Sequence, residues 1–126
     1  MEHGDYQRFL YSLEDEGELG WRTLMTSMVF PRAQLRSLAR RMEEVSGRLA
    51  TLEPPEDAGE GHLALMVSLH ELAADAHRIA RDRRLGRNEL FQRLAELPSV
   101  AAASQAGDQL RAHGYVVPAG ATRPTP

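Results

Sequence analysis

An all-α fold is predicted, an up-down four-helix bundle with a central antiparallel helical hairpin and a flexible C-terminal tail, and three features of the sequence carry that expectation. No segment sustains the alternation of a half-buried strand, whereas several repeat apolar residues at intervals of three and four. Two of these seams are separated only by the short break "EPPEDAG". The 126 residues, 42% of them hydrophobic, suffice for one domain with a real core and are too few for two. The bundle is expected over residues 1–117 and the tail over residues 118–126.

The first helix is expected from Asp5, a suitable N-cap, to Phe30, ahead of the helix-breaking Pro31. Tyr6, Phe9, Leu10, Leu13, Trp21, Leu24, Met25 and Met28 fall on one side of it. Gly17 and Gly20 interrupt the stripe within "EDEGELG", and each costs roughly 1 kcal/mol relative to alanine in a helix. A kink or a close neighbour would explain them; the alternating oxygen ligands of a calcium loop are missing.

Leu35, Leu38, Met42, Val45, Leu49 and Leu52 then recur as the packed seam of a second helix, with Arg40, Glu44 and Arg48 spaced to pair one turn apart. Pro54 and Pro55 end it. His62, Leu65, Leu69, Leu72, Ala76 and Ile79 repeat the pattern in a third helix, which makes the pair a helical hairpin. Gly86 is expected to stop that helix and Asn88 to cap the next. A fourth helical region carries Leu90, Phe91, Leu94 and Leu97, is interrupted or kinked at Pro98, and resumes from a Ser99 cap through Val100, Ala103 and Leu110. The stretch "GYVVPAG" can either pack across the bundle or add an extended segment to a partner, and the residues beyond it carry no helical period.

Composition excludes several kinds of chemistry. A net charge of −3 advertises neither nucleic acid nor an anionic membrane, and no apolar run approaches the ~20 residues of a membrane span. The absence of a leader at Met1 leads to the expectation of a cytoplasmic protein. Without cysteine there is no disulfide, thiolate site or Cys nucleophile. Neither a phosphate-binding Gly loop nor a Gly-x-Ser-x-Gly elbow occurs, and no acid–base pair can be named from spacing, so no enzyme and no cofactor are expected. Arg81, Arg83, Arg84 and Arg87 can touch phosphate, but they also flank a helix C-terminus, where the dipole favours cations. The dipole is the preferred explanation, and nucleic acid is not expected as a partner.

Three of the five histidines lie in the third helix. At about 100° per residue, His70 and His77 fall roughly 80° and 60° around the axis from His62, at the border of the apolar stripe, with Ser68, Glu71, Asp75, Arg78 and Asp82 opposite the stripe. Two ligands on one helix need a spacing of three or four, whereas His70 and His77 stand seven apart, roughly 10 Å along the axis. No Glu-x-x-His pair of the di-iron kind is present. The histidines therefore read as structural, with His62 at the core edge and bonded to the hairpin loop. On that reading His62→Leu folds and is at least as stable. A pH-sensitive contact at His62 is the functional alternative.

The stretch "LATLEPPEDAGEGHLALMVSLHELAADAHRIA", followed by an Ala-rich final helix and Gly114-Tyr115, resembles small actinobacterial helical-bundle proteins of unknown function, many of them exported lipoproteins. In these a leucine helix runs into a Pro-Pro turn, a histidine opens the next helix, and a Leu/Ala stripe follows. The likeness covers roughly Leu35 to Tyr115 and departs in the missing lipobox cysteine. It implies a four-helix bundle whose histidine marks a hairpin, and it supplies no catalytic residue.

The expected function is a non-enzymatic interaction or scaffold protein that presents a helical face to a protein partner or to a second copy of itself. Tyr6, Phe9, Tyr11, Trp21, Met25, Met28 and Phe30 concentrate aromatic and Met surface on the first helix, residue types enriched at interfaces. The alternative is a small-ligand or metal-binding bundle using His62, His70 or His77.

Overall fold

A computed structural model describes residues 1–13 and 31–117. All regular structure among them is helical: α1 over residues 3–13, α2 (Pro31–Ala50), a 3₁₀ turn (Glu56–Ala58), α3 (Gly59–Arg81), α4 (Arg87–Ala95) and α5 (Pro98–Ala112). The helices pack on a single buried cluster to which every one of them contributes. Trp21, Met25, Met28 and Phe30, with Gly17, Gly20 and the expected tail, lie outside the described residues.

The hairpin forms as its two seams require. Leu35, Leu38, Met42, Val45 and Leu49 of α2 are buried, as are Leu65, Leu69, Leu72 and Ala76 of α3, and α3 packs on α2 more extensively than on α4 or α5. Burying each such aliphatic side chain contributes roughly 1.5–3 kcal/mol. The last turn of α2 tightens, with Thr51 and Leu52 N–H donating to the carbonyls of Arg48 and Leu49, before Pro54 and Pro55 prevent continuation.

α5 covers a second side of α3, so α3 is the central helix. This corrects the placement of Ser68 and Asp75 on a solvated face: Ser68 is buried, and Ser99 Oγ donates to Asp75 Oδ2 at 3.0 Å. The small residues Ser99, Ala103, Ala106 and Gly107 on the buried side of α5 allow the close approach. Gly61 at the start of α3 has the same role, since a Cβ there would stand 2.8 Å from Cγ of the buried Leu110.

Three helix starts differ from expectation. α1 begins at residue 3, and Tyr6 N–H already donates to the Glu2 carbonyl, so Asp5 lies within the helix and pairs with Arg8. Gly86, not Asn88, is the N-cap of α4. Pro98 interrupts the fourth helical region as expected: α4 stops at Ala95 and Pro98 opens α5, tolerated as its first residue because the donor it lacks is unpaired there anyway, with Leu97 and not Ser99 as N-cap. The fourth helical region is thus two helices.

α5 is closed off two residues past its end by Gly114, whose φ of 89° is open to glycine at no steric penalty. Gly114 N–H bonds the Arg111 carbonyl and Tyr115 N–H the Leu110 carbonyl, which is the Schellman pattern. The turn sends the chain back, and Tyr115 and Val117 become buried.

Candidate functional site

The only histidine in the core is His62, 5% exposed at the first turn of α3. Its Nε2–H donates at 2.9 Å to the Leu49 carbonyl in the last turn of α2, which also accepts from Leu52 N–H. Its Nδ1 then accepts from the Tyr6 hydroxyl of α1 at 2.8 Å. Both ring nitrogens are used, the tautomer follows from the carbonyl, and the ring is neutral. Burial pushes the His62 pKa down, opposed by the bond to Leu49. Burial also pushes the Tyr6 phenol up, with Tyr115 adding to the effect.

Tyr115 completes this cluster. It meets Tyr6 edge-on at 5.3 Å, stacks on His3 at 4.2 Å, and donates from its hydroxyl to Asp57 Oδ1 at 2.7 Å in the hairpin loop. Gln7 clamps the next residue, donating from Nε2 to the Val116 carbonyl and accepting from Val116 N–H through Oε1, each at 2.8 Å. The start of α1, the segment that follows α5 and the closed end of the hairpin therefore meet around two tyrosines and one histidine.

The other two histidines of α3 are elsewhere. His77 donates from Nε2 to Glu43 Oε1 of α2 at 2.8 Å. His70 is exposed and lines a groove of about 590 Å³ between α2 and α3. No three His, Asp or Glu side chains among the described residues are grouped to hold a metal ion, so the structure does not bring His62, His70 and His77 together.

Of the residues expected to face a partner, Tyr6 is 0% exposed and faces inward. Phe9 is partly buried under the Arg48 guanidinium, 5.4 Å from the ring centroid, and Tyr11 is 49% exposed. Among the described residues an apolar surface lies on α3, where Leu63 is 56% and Val67 44% exposed, besides Met1, Tyr11 and Val116 elsewhere; Val67 lines the groove together with Met66, Gly47 and Ala50, between Glu43 and Glu71. Its signal was in the sequence, since Leu63, Val67 and His70 stand at intervals of four and three beside the Leu65/Leu69 seam. One seam accounts for one neighbour, and a second apolar stripe alongside it asks for another.

At the opposite end of the hairpin Arg32 closes the C-terminus of α3. It donates from Nη1 to the carbonyls of Ala80 and Asp82, at 3.0 and 2.8 Å, and from Nη2 to that of Leu85 at 2.6 Å. Arg32→Met keeps the aliphatic stem and removes the donors, so urea unfolding is expected to show a loss of about 1.5–2 kcal/mol, in the range for hydrogen bonds from a charged group. An unchanged midpoint would show that water replaces the guanidinium without penalty.

No described helix is long and apolar enough to cross a membrane. No family model, no curated protein and no solved structure matches the chain.

Proposed function

We propose that this is a non-catalytic helical interaction protein whose working surface is the groove between α2 and α3, filled by a helical segment of a protein partner. The observation that carries the reading is the exposed Leu63 and Val67 beside a groove floored by small residues. A helix-in-groove contact uses such apolar anchors at one-turn intervals, and Gly47 and Ala50 let a third helix come close. Met66 adds an adaptable contact, and Glu43 and Glu71 at the groove favour a partner with basic residues flanking its apolar face. The first-helix surface expected from the aromatic residues is reduced, in the described part, to Tyr11 and the edge of Phe9.

The lack of cysteine makes a direct test clean. Val67→Cys carries a benzophenone label into extracts of the native host, with Ala101→Cys on the exposed side of α5 as the control. One discrete adduct from position 67, lost when Leu63→Asp is added and not formed from position 101, is the expected result. An adduct of twice the chain mass would identify the partner as a second copy. Equal labelling from both positions, or none from position 67, removes the groove as the working surface.

A second reading rests on His70. The groove volume falls within the roughly 300–1,000 Å³ of small-ligand sites, and one imidazole lines it. His62 does not serve this reading, because both its nitrogens are engaged. Native mass spectrometry of protein from its own host separates the two: the bare chain mass or a protein complex belongs to the first, and a chain carrying one small ligand to the second.

A further inference from the structure

We propose that the arginine-lined pocket at the open end of the α2–α3 hairpin binds a small ligand through a diphosphate or longer oligophosphate group. The pocket has a volume of about 500 Å³, and the described residues that line it are Arg32, Arg36, Ala80, Arg81 and Arg83, with no carboxylate among these. Four guanidiniums around one hollow repel each other, so their sum must be compared with what the fold itself requires there.

The fold requires one. The C-terminus of a helix carries roughly −0.5 charge, and Arg32 alone already takes three carbonyl oxygens at the end of α3. The nearest carboxylate in sequence, Asp82, is occupied by Arg84, whose side-chain hydrogen bond holds the Asp82 carboxyl below its ordinary range. Arg36, Arg81 and Arg83 make no hydrogen bond or ion pair with any other described side chain. They therefore leave about three positive charges that the dipole of α3 does not use, in a chain whose net charge is −3. The arginines at the open end of the hairpin thus divide into two that are consumed by structure, Arg32 and Arg84, and three that line the pocket.

The geometry selects the ligand class. Guanidiniums bind phosphate through paired, nearly parallel hydrogen bonds and keep their charge at all accessible pH. A terminal phosphate carries roughly −1.5 to −2 at neutral pH, so two linked phosphates match the uncompensated charge and one does not. Duplex nucleic acid fits less well, because it is read by an extended basic stripe, whereas these side chains surround a single hollow.

Isothermal titration of pyrophosphate into the full chain at physiological ionic strength is the test. One site per chain is expected, with inorganic phosphate binding more weakly. Arg36→Gln and Arg83→Gln should each weaken pyrophosphate roughly tenfold, as expected for loss of a charge-assisted hydrogen bond, while Arg87→Gln, outside the pocket, should leave it unchanged. All three positions are exposed, and circular dichroism verifies that the variants fold. Absence of binding overturns the proposal, and so does equal weakening by Arg87→Gln, which would indicate a diffuse field. Phosphate binding as tightly as pyrophosphate removes the oligophosphate assignment. Duplex DNA binding more tightly than pyrophosphate would make the patch a nucleic-acid surface instead.

Discussion

His62→Leu is expected to destabilise the protein by about 2 kcal/mol, reversing what the sequence alone predicts. A leucine fits the apolar seam, and by periodicity it belongs there. The ring, however, is the one partner among the described residues of the Tyr6 hydroxyl, which is 0% exposed, and it also bonds the Leu49 carbonyl, which would keep only the Leu52 N–H. An orphaned buried hydroxyl costs ~1–3 kcal/mol, and better apolar transfer returns only part of that. Tyr6→Phe should soften the loss, because it removes the orphan. In a double-mutant cycle measured by urea unfolding, the pair should therefore be less destabilised than the sum of the singles. A strictly additive cycle, or His62→Leu equal to the wild type, would mean that the Tyr6–His62 bond contributes nothing.

The same site sets a pH dependence with a definite sign. The folded pKa of His62 is lowered by burial, so between that value and the unfolded value of about 6.5 the unfolded chain binds the extra proton. Stability from this group is fully present above about pH 6.5 and declines as pH falls towards the folded value. The notion of a pH-sensitive contact thus gains a mechanism: protonation buries a charge where α1 meets the end of α2. The His62→Leu variant should lack this component of the acid sensitivity.

The hairpin was legible because the two stripes that face each other each answer one demand. Leu35 to Leu49 and Leu65 to Ala76 face each other, and periodicity reports a single buried stripe without ambiguity. α3 was harder to read because it answers to two neighbours. Ser68 and Asp75, polar by type, are covered by α5, and their polarity is satisfied locally by the Leu65 carbonyl and by Ser99 and Arg78. The interruption at Pro98 was legible but its cap was not: a proline at the first helical position puts the N-cap on the residue before it, and Leu97 is extended here while Ser99 lies inside α5. Tyr6 sits on an amphipathic stripe whose aromatic residues suggest an interface; only the fold shows that His62 and Tyr115 pack against it. The groove needed both helices in place, since Glu43, Gly47 and Ala50 stand more than fifteen residues from Val67 and His70.

These features divide the molecule by task. The cluster of Tyr6, His62 and Tyr115 is internal, has its hydrogen bonds met, and joins the ends of the described chain to the hairpin. The groove and the arginine pocket both lie between α2 and α3 and are lined by none of these three residues. A scaffold secured at one end by buried aromatic contacts can present such a face rigidly, which keeps the ordering cost of binding low.

Tyr115→Ala is expected to be the most damaging single change at that secured end, at about 3–5 kcal/mol, the range for deleting a buried aromatic side chain. Its ring is 2% exposed, touches Tyr6 and His3, and donates to Asp57; burial pushes the phenol up to about 12, so it remains a donor across the physiological range. Tyr115→Phe keeps the ring and removes only the bond to Asp57, for a loss of about 0.5–1.5 kcal/mol. The contrast between the two variants separates packing from hydrogen bonding. Hydrogen exchange should show where the effect lands: in Tyr115→Ala, amides of residues 3–13 lose protection while those at the centre of the α2–α3 seam keep theirs, because the seam has its own buried contacts. Uniform loss of protection along the chain would instead show that the aromatic cluster and the hairpin unfold as one unit. Wild-type protection at residues 3–13 in the alanine variant would show that α1 is held by Leu10 and Leu13 without help from the returning segment.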